Sequence, residues 1–381
     1  MKKFNKVNWQ GKMKLLPDHF IQTENYYNEQ INDIRSLIVD KFNFGLLPTD
    51  GEDSETGIRI REHITKHVEV SLYSCNAVTA SGERIEYRVS GDNTPLSHTF
   101  SPQTEEERGG KSVGNWDVIL SVDPYERKLT GELDPADDPP RHPDCEASFK
   151  LHVVPSDEVN LSAFGSHFVT IGKIRKEGER YKVDTNYIPP CMKMSSHPEL
   201  KDYCMRFDSL LYSINKSSEE IIAKVYNKSH GNELATNIQK LSKITLQYIT
   251  SVHFRLRNFG VSLHPVVITE QMSVLASRMY VGLICMPGGQ KDELLKYFYE
   301  WNDVTPGTLE ELLANTMEIT YDHRNLRSVM VRLESFATVI SELWDRLSKL
   351  EYIGQHKESL VVSVTGGQSR GEERKGYIIQ D

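Results

Sequence analysis

The pattern of apolar and polar positions changes character twice along this chain of 381 residues. Between residues 21 and 41, apolar side chains fall at Tyr27, Ile31, Ile34, Leu37 and Ile38. Steps of three and four predict an amphipathic helix. Short alternating runs then take over, at residues 57–61, 68–72, 116–122, 149–154, 168–174 and 181–184, with Ala80-Ser81-Gly82-Glu83 as turn punctuation. Alternation of this kind predicts half-buried strands, and several of them separated by turns predict an antiparallel β-sandwich. Two segments interrupt the strands. Residues 91–114 are polar and rich in Gly, Ser, Thr and Glu, so they read as a loop. Residues 133–145, LDPADDPPRHPDC, hold too much Pro and Asp for a regular element.

Beyond Pro190 the period becomes helical. Phe207, Leu211, Ile214, Ile221 and Val225 form one set, and Leu234, Ile238, Leu241, Tyr248 and Val252 a second, after a turn near Ser229. A third set runs over 264–283 and stops at Pro287-Gly288-Gly289. The last keeps the longest register, with Leu326, Met330, Leu333, Ala337, Ile340, Trp344 and Leu347, widened by Val329, Phe336, Leu343 and Leu350. Seven-residue repetition over several turns predicts a helical bundle or coiled coil. Such a face is either the core of one helical domain or a seam between copies. On the second reading, Leu326, Met330, Leu333, Ile340, Trp344 and Leu347 are the interface candidates. The chain therefore reads as a multidomain α+β protein: a β-sandwich domain over 1–195, a helical neck over 196–353 and a short tail over 354–381.

Two segments have backbones forced into one shape. In NWQGKMKLLPDHF, residues 8–20, Pro17 restricts Leu16 to extended geometry, and Asp18 is placed to cap a turn or helix starting at His19. Trp9, Met13, His19 and Phe20 precede the first strong helix, where there is little local core to fill. Large aromatic groups in that setting commonly anchor interfaces, and these four are candidates to dock a partner. The alternative is that Trp9 closes the bottom of its own sandwich. In NYIPPCMKMSSHPEL, residues 186–200, Pro189 and Pro190 lack N–H donors, so a strand reaching Ile188 must leave its sheet there.

Composition narrows the function. A net charge of −9 without a dense basic stretch argues against nucleic-acid binding, which needs a cationic face. Five cysteines at irregular spacing argue against a disulfide framework and for a reducing cytosol. The basic start MKKFNKVNW lacks the apolar stretch of a signal peptide, and no apolar run is long enough to span a bilayer.

Candidate chemistry is sparse. His142 and Cys145 have the spacing of half a zinc site, but His197 and Cys204 are not a close second pair. Tyr321-Asp322-His323 invites a catalytic reading, yet neighbours on a helix do not face each other. A capping cluster ahead of a helix starting near Arg324 is the simpler expectation. Gly288-Gly289-Gln290-Lys291 has free N–H groups to offer an anion but lacks the spacing of a P-loop, and reads as a helix-breaking loop. The expectation is a structural protein with no catalytic residues, cofactor or metal.

Several of these motifs together resemble the TssK family, the baseplate subunit of type VI secretion systems. Trp9, Gly11, Met13, Leu15, Pro17, His19 and Phe20 are similar to its N-terminal signature. Asn43-Phe44-Gly45-Leu46 resembles the aromatic-Gly turn after its first helix, and Ala80-Ser81-Gly82-Glu83 stands where the family tends to have Pro-Asp-Gly-Thr. Asp138-Pro139-Pro140-Arg141-His142-Pro143 resembles its Pro-Arg-x-Pro loop, and Ile188-Pro189-Pro190-Cys191 its exit from the shell domain. His264-Pro265 and Tyr321-Asp322-His323 resemble its neck motifs.

The resemblance implies a phage receptor-binding-protein-like shell and a homotrimer held by its helical neck. It further implies wedge partners of the TssF and TssG kind and a membrane platform reached through a C-terminal head. It would make Trp9, Met13, His19 and Phe20 the wedge contact, and place the protein in the cytoplasm on a baseplate docked at the inner membrane. A trimeric structural or receptor-binding protein of another contractile machine is the alternative. After the last predicted helix only 351–381 remain, with strand-like runs at 360–364 and 377–379 around GGQSRGEERKG. So short a segment cannot bury a core alone, and a reduced or absent head is expected, as would fit a Bacteroidetes-type variant system.

Overall fold

The computed structural model describes residues 4–49, 57–64, 66–89, 94–102, 114–228 and 232–357. Among these, antiparallel strands fill the first half and helices the second. Three sheets form. The first has the order β1 (Gly45–Leu46), β4 (Ser74–Val78), β5 (Arg84–Arg88). The second has β2 (Ile58–Glu62), β3 (Val68–Leu72), β6 (Leu96–Phe100). The third has β10 (Arg180–Val183), β9 (Phe168–Glu177), β7 (Asn115–Thr130), β8 (Asp144–Pro155). Alternation is visible where one face is wet: Val68, Val70 and Leu72 are buried, while Glu69 and Ser71 are half-buried. Central β7 buries every residue from Trp116 to Leu120, because it is covered on both faces. Trp116 also joins Phe100 and Tyr181 in an aromatic cluster, with ring centroids 5.4 and 5.3 Å away.

Strand β6 lies within the segment read as a loop from composition, and its register against β3 is regular from Leu96 to Phe100. Polar composition misled there because alternate residues of that strand face outward. The other irregularity has a cause in sequence. Pro124 sits in β7 where the ladder with β8 slips between Asp123 and Arg127. A residue without an N–H is tolerated where pairing is already broken, and the Asp123 carboxylate accepts the Tyr125 and Glu126 N–H groups there.

The helices are α1 (Pro17–Ser36), α2 (Pro198–Lys228), α3 (Glu233–Phe259), α4 (Pro265–Ile284), α5 (Gly288–Asn302), α6 (Pro306–Met317) and α7 (Leu326–Lys349). Pro17, Pro198, Pro265 and Pro306 each open a helix, where the missing N–H costs nothing. Helix α1 thus starts two residues before His19, with His19 Nδ1 accepting the Leu16 N–H at 3.2 Å in place of an Asp18 cap. Helices α5 and α6 have no counterpart in the sequence reading. Gly288 and Gly289, read there as a helix-breaking loop, form the first turn of α5.

The chain divides into two compact units. Unit 1 comprises residues 1–204, 259–269 and 321–330, and unit 2 comprises 205–258, 270–320 and 331–381. Short pieces of the helical half therefore belong to the β-rich unit. In unit 2, Leu333, Ile340, Trp344 and Leu347 of α7 are almost wholly buried, as are Phe207, Leu211, Ile214 and Ile221 of α2 and Ile238 and Leu241 of α3. The Lys224 ammonium caps the end of α7 by donating to the Leu350 carbonyl at 2.9 Å. The runs at 360–364 and 377–379, and the expected reduction of the head, lie outside the described residues.

Candidate interaction site

The N-terminal segment folds back along α1. The Phe4 N–H donates to Glu29 Oε2 at 2.9 Å, Gln22 Nε2 donates to the Asn5 carbonyl at 2.9 Å, and the Phe4 ring meets Tyr125 at 5.1 Å. A turn closed by the Met13 N–H on the Gln10 carbonyl, with Lys12 in the left-handed region, redirects the chain into the helix. That hook gathers its aromatic groups. The Trp9 ring stands edge-on to His19 at 6.0 Å and lies 6.2 Å from Phe20. Trp9 remains 50% exposed and Phe20 57%, while Met13 and His19 are half-buried. Trp9 therefore does not close the bottom of a sandwich.

Helix α1 extends this surface because its orientation is inverted. None of its residues is buried. Its attachments are polar: Glu24 pairs with Arg127 at 2.7 Å, Asn32 Nδ2 donates to Glu83 Oε1 at 3.1 Å, and Arg35 Nη1 donates to the Gly82 carbonyl at 3.4 Å. Gly82 permits that approach, since a Cβ there would stand 2.8 Å from Arg35 Cβ, and its φ of +89° suits glycine. The apolar row faces outward. Phe20, Tyr27 and Ile34 repeat every seven residues with Ile31 and Ile38 interleaved, and Ile34 is 61% exposed. Exposed apolar rows of this extent mark interaction surfaces.

Glu83, which holds α1, is nearly buried and accepts from Thr79 Oγ1 at 2.8 Å. His167 Nδ1 lies 3.1 Å from Glu83 Oε1 and 3.2 Å from Ser81 Oγ. Serine and carboxylate meet the same ring nitrogen, so no proton relay of the Ser–His–carboxylate type is wired here. The cluster is an anchor.

Four motifs far apart in sequence converge in unit 1. The Leu46 N–H donates to the Pro190 carbonyl at 2.7 Å and the Met192 N–H to the Leu46 carbonyl at 2.9 Å, so β1 gains a parallel neighbour at Cys191. Gly45, at φ +106°, makes this possible, because a Cβ would lie 2.0 Å from the Pro190 carbonyl oxygen. His323 reaches the same place. Its ring lies 4.9 Å from Phe44, its Nε2 meets the Phe44 carbonyl at 2.7 Å, and its Nδ1 meets Tyr321 Oη at 2.6 Å. His264 Nδ1 meets the Met192 carbonyl. Arg327 ties residues 186–204 to the start of α7, through Glu199 at 3.0 Å and the Asn186 carbonyl at 2.9 Å. The expected capping cluster does not form: α7 starts at Leu326, and the Asp322 carboxylate accepts the Arg324 N–H at 2.9 Å within the turn ahead of it. Tyr321 and His323 are long-range buckles, a role that spacing along the sequence could not reveal.

Burial pushes the Tyr321 hydroxyl and the Cys191 thiol up, and holds His323 below the usual imidazole range against the opposing pull of the Phe44 carbonyl. Burial likewise takes His197 down to about 4. These groups are neutral, inward-facing and spent on structure.

The seam candidates on α7 are placed differently from the hook. Leu326, Met330, Leu333, Ile340, Trp344 and Leu347 are all buried within a single chain. Their face is filled by the chain's own side chains and is no exposed seam for another copy. The seven-residue period reported a core helix covered on one broad face.

No family model matches the sequence, and no curated protein matches it. Solved structures do match the fold. One, described as a crystal structure of TssK, is 15% identical, with a TM-score of 0.53 over 88% of this chain and 68% of its own. A second, the baseplate complex from the type VI secretion system, is 12% identical, with a TM-score of 0.52 over 89% of this chain and all of the matched chain. The chain has the fold of TssK.

Proposed function

We propose that the chain is a structural baseplate component of a type VI secretion system, built as a TssK-type adaptor. The observation that carries this reading is the likeness to TssK over 88% of the chain, N-terminal sheets and helices together. The exposed hook and the inverted α1 support it, because they offer an apolar surface at the end where the family resemblance expects wedge proteins of the TssF and TssG kind. Trp9, Met13, His19 and Phe20 form the wedge contact, with the α1 row as its continuation. The protein acts without catalysis or cofactor, in the cytoplasm, between the wedge and a membrane-anchored platform.

The working state in this reading is a homotrimer. Its contacts run through exposed helical side chains such as Met205, Tyr212 and Tyr226, which repeat at seven and fourteen residues along α2. The α7 core positions serve the fold of each copy. Purification from the native host, with identification of the attached proteins and light scattering of the isolated chain, tests the proposal. Wedge proteins in the eluate and a mass near three chains are expected. A monodisperse monomer at micromolar concentration removes the trimer, and the absence of wedge proteins removes the adaptor.

A further inference from the structure

A cleft of about 540 Å³ opens in unit 2 between α3, α4 and the start of α5. Its volume falls in the range of roughly 300–1,000 Å³ common for small-ligand sites. Ile244, Val281, Met286 and Pro287 give it an apolar wall. The polar part of the lining is one-sided: Lys240 and Arg278 contribute two positive charges, Asn237 and Gln290 contribute amides, and no carboxylate lines it.

The cations are held in place by neutral groups. Lys240 Nζ donates to Asn237 Oδ1 at 3.3 Å, and Asn237, itself almost fully buried, is fixed by donating to Gln290 Oε1 at 3.0 Å. The Arg278 guanidinium stands 4.9 Å over the Tyr248 ring. Neither forms an ion pair among the described residues, although acidic residues outnumber basic ones 54 to 45 in the chain. Fixed positive charge with no counter-ion is complementary to an anion, and the wall beside it suits an apolar body.

We infer that this cleft binds an anionic amphiphile, an alkyl chain carrying a carboxylate or phosphate head, with the chain against Ile244 and Val281 and the head between Lys240 and Arg278. The inference does not depend on the baseplate reading. A self-complementary contact of two copies through this cleft is disfavoured, since it would bring like charges together.

Titration calorimetry on the full chain tests it, with decanoate, decyl phosphate, decanol and decyltrimethylammonium as probes below their micelle concentrations. The two anions should bind at least tenfold more tightly than decanol, and the cation more weakly still. Lys240→Met and Arg278→Met should each erase most of that preference while far-UV circular dichroism and melting temperature stay at the wild-type values. If the anions bind no better than decanol, or keep their preference in both variants, the inference fails. It also fails if neither anion binds and an apolar peptide with a free terminal carboxylate does, since the occupant is then a partner chain. Decanoate and decyl phosphate titrated separately distinguish the two head groups.

Discussion

His323 Nε2 donates to the carbonyl oxygen of Phe44 at 2.7 Å, joining residues 279 positions apart. A carbonyl only accepts, so the ring carries its proton on Nε2 and Nδ1 accepts from the Tyr321 hydroxyl. One buried imidazole thereby locks the turn before β1 to the approach to α7, within the same compact unit.

Replacing His323 with Ala orphans a buried carbonyl and a buried hydroxyl together. A loss of about 2–4 kcal/mol is expected, from roughly 1–3 kcal/mol for each unsatisfied group with partial relaxation. Tyr321→Phe removes only the donor to Nδ1 and should cost about 1 kcal/mol. Urea denaturation of both variants measures the difference, and equal losses would show that the Phe44 bond contributes little.

Acid should weaken the fold before the carboxylates titrate. Folded His323 and His197 sit below the ordinary imidazole value of 6.5, the latter at about 4. The unfolded chain therefore binds more protons in this window, so their contribution is full above pH 6.5 and declines as pH falls towards 4. Denaturation midpoints at pH 7.5, 6, 5 and 4 should fall along that limb, and His197→Gln should flatten it.

Gly45→Ala should be among the most damaging small substitutions. Its Cβ would overlap the Pro190 carbonyl, and a left-handed φ adds strain. Separation of β1 from residues 190–192 is expected, seen as a melting temperature lower by several degrees and rapid proteolysis near Pro190.

Trp9→Ala and Phe20→Ala remove exposed groups and should shift stability by no more than about 0.5 kcal/mol. Wedge co-purification should drop sharply, since truncating an interface anchor commonly costs about 2 kcal/mol, near thirtyfold in affinity. Unfolding of either variant ahead of lost binding would make the hook part of the core.

Ile340→Asp and Tyr212→Asp separate core from surface. Ile340 is fully buried, so a carboxylate there should unfold unit 2 at a cost of several kcal/mol. Tyr212 is exposed, so its variant should keep its helix content while losing mass by light scattering. A trimer that survives Tyr212→Asp would move the contact to another face.

Local physics carried much of the architecture. Period-2 runs located β2, β3, β9 and β10 to within a few residues and the first half of β7, which continues to Thr130, and Pro17 marked where α1 begins, because alternation and a missing N–H act on the chain within a few residues of themselves. Composition could not place β6, whose outward polar residues look like a loop. Nor could periodicity say what lies opposite a helix. Helix α1 and α7 both carry apolar rows, yet α7 turns its row into the core, while Glu24, Asn32 and Arg35 fasten α1 by its polar side. Both arrangements satisfy the same sequence pattern, and only partners distant in sequence decide between them. The same holds for His323, whose meaning is a carbonyl 279 residues away. Sequence determined the long helices, most of the alternating strands and the points where proline makes the chain turn; the tertiary structure decided which apolar faces are buried and which stay exposed.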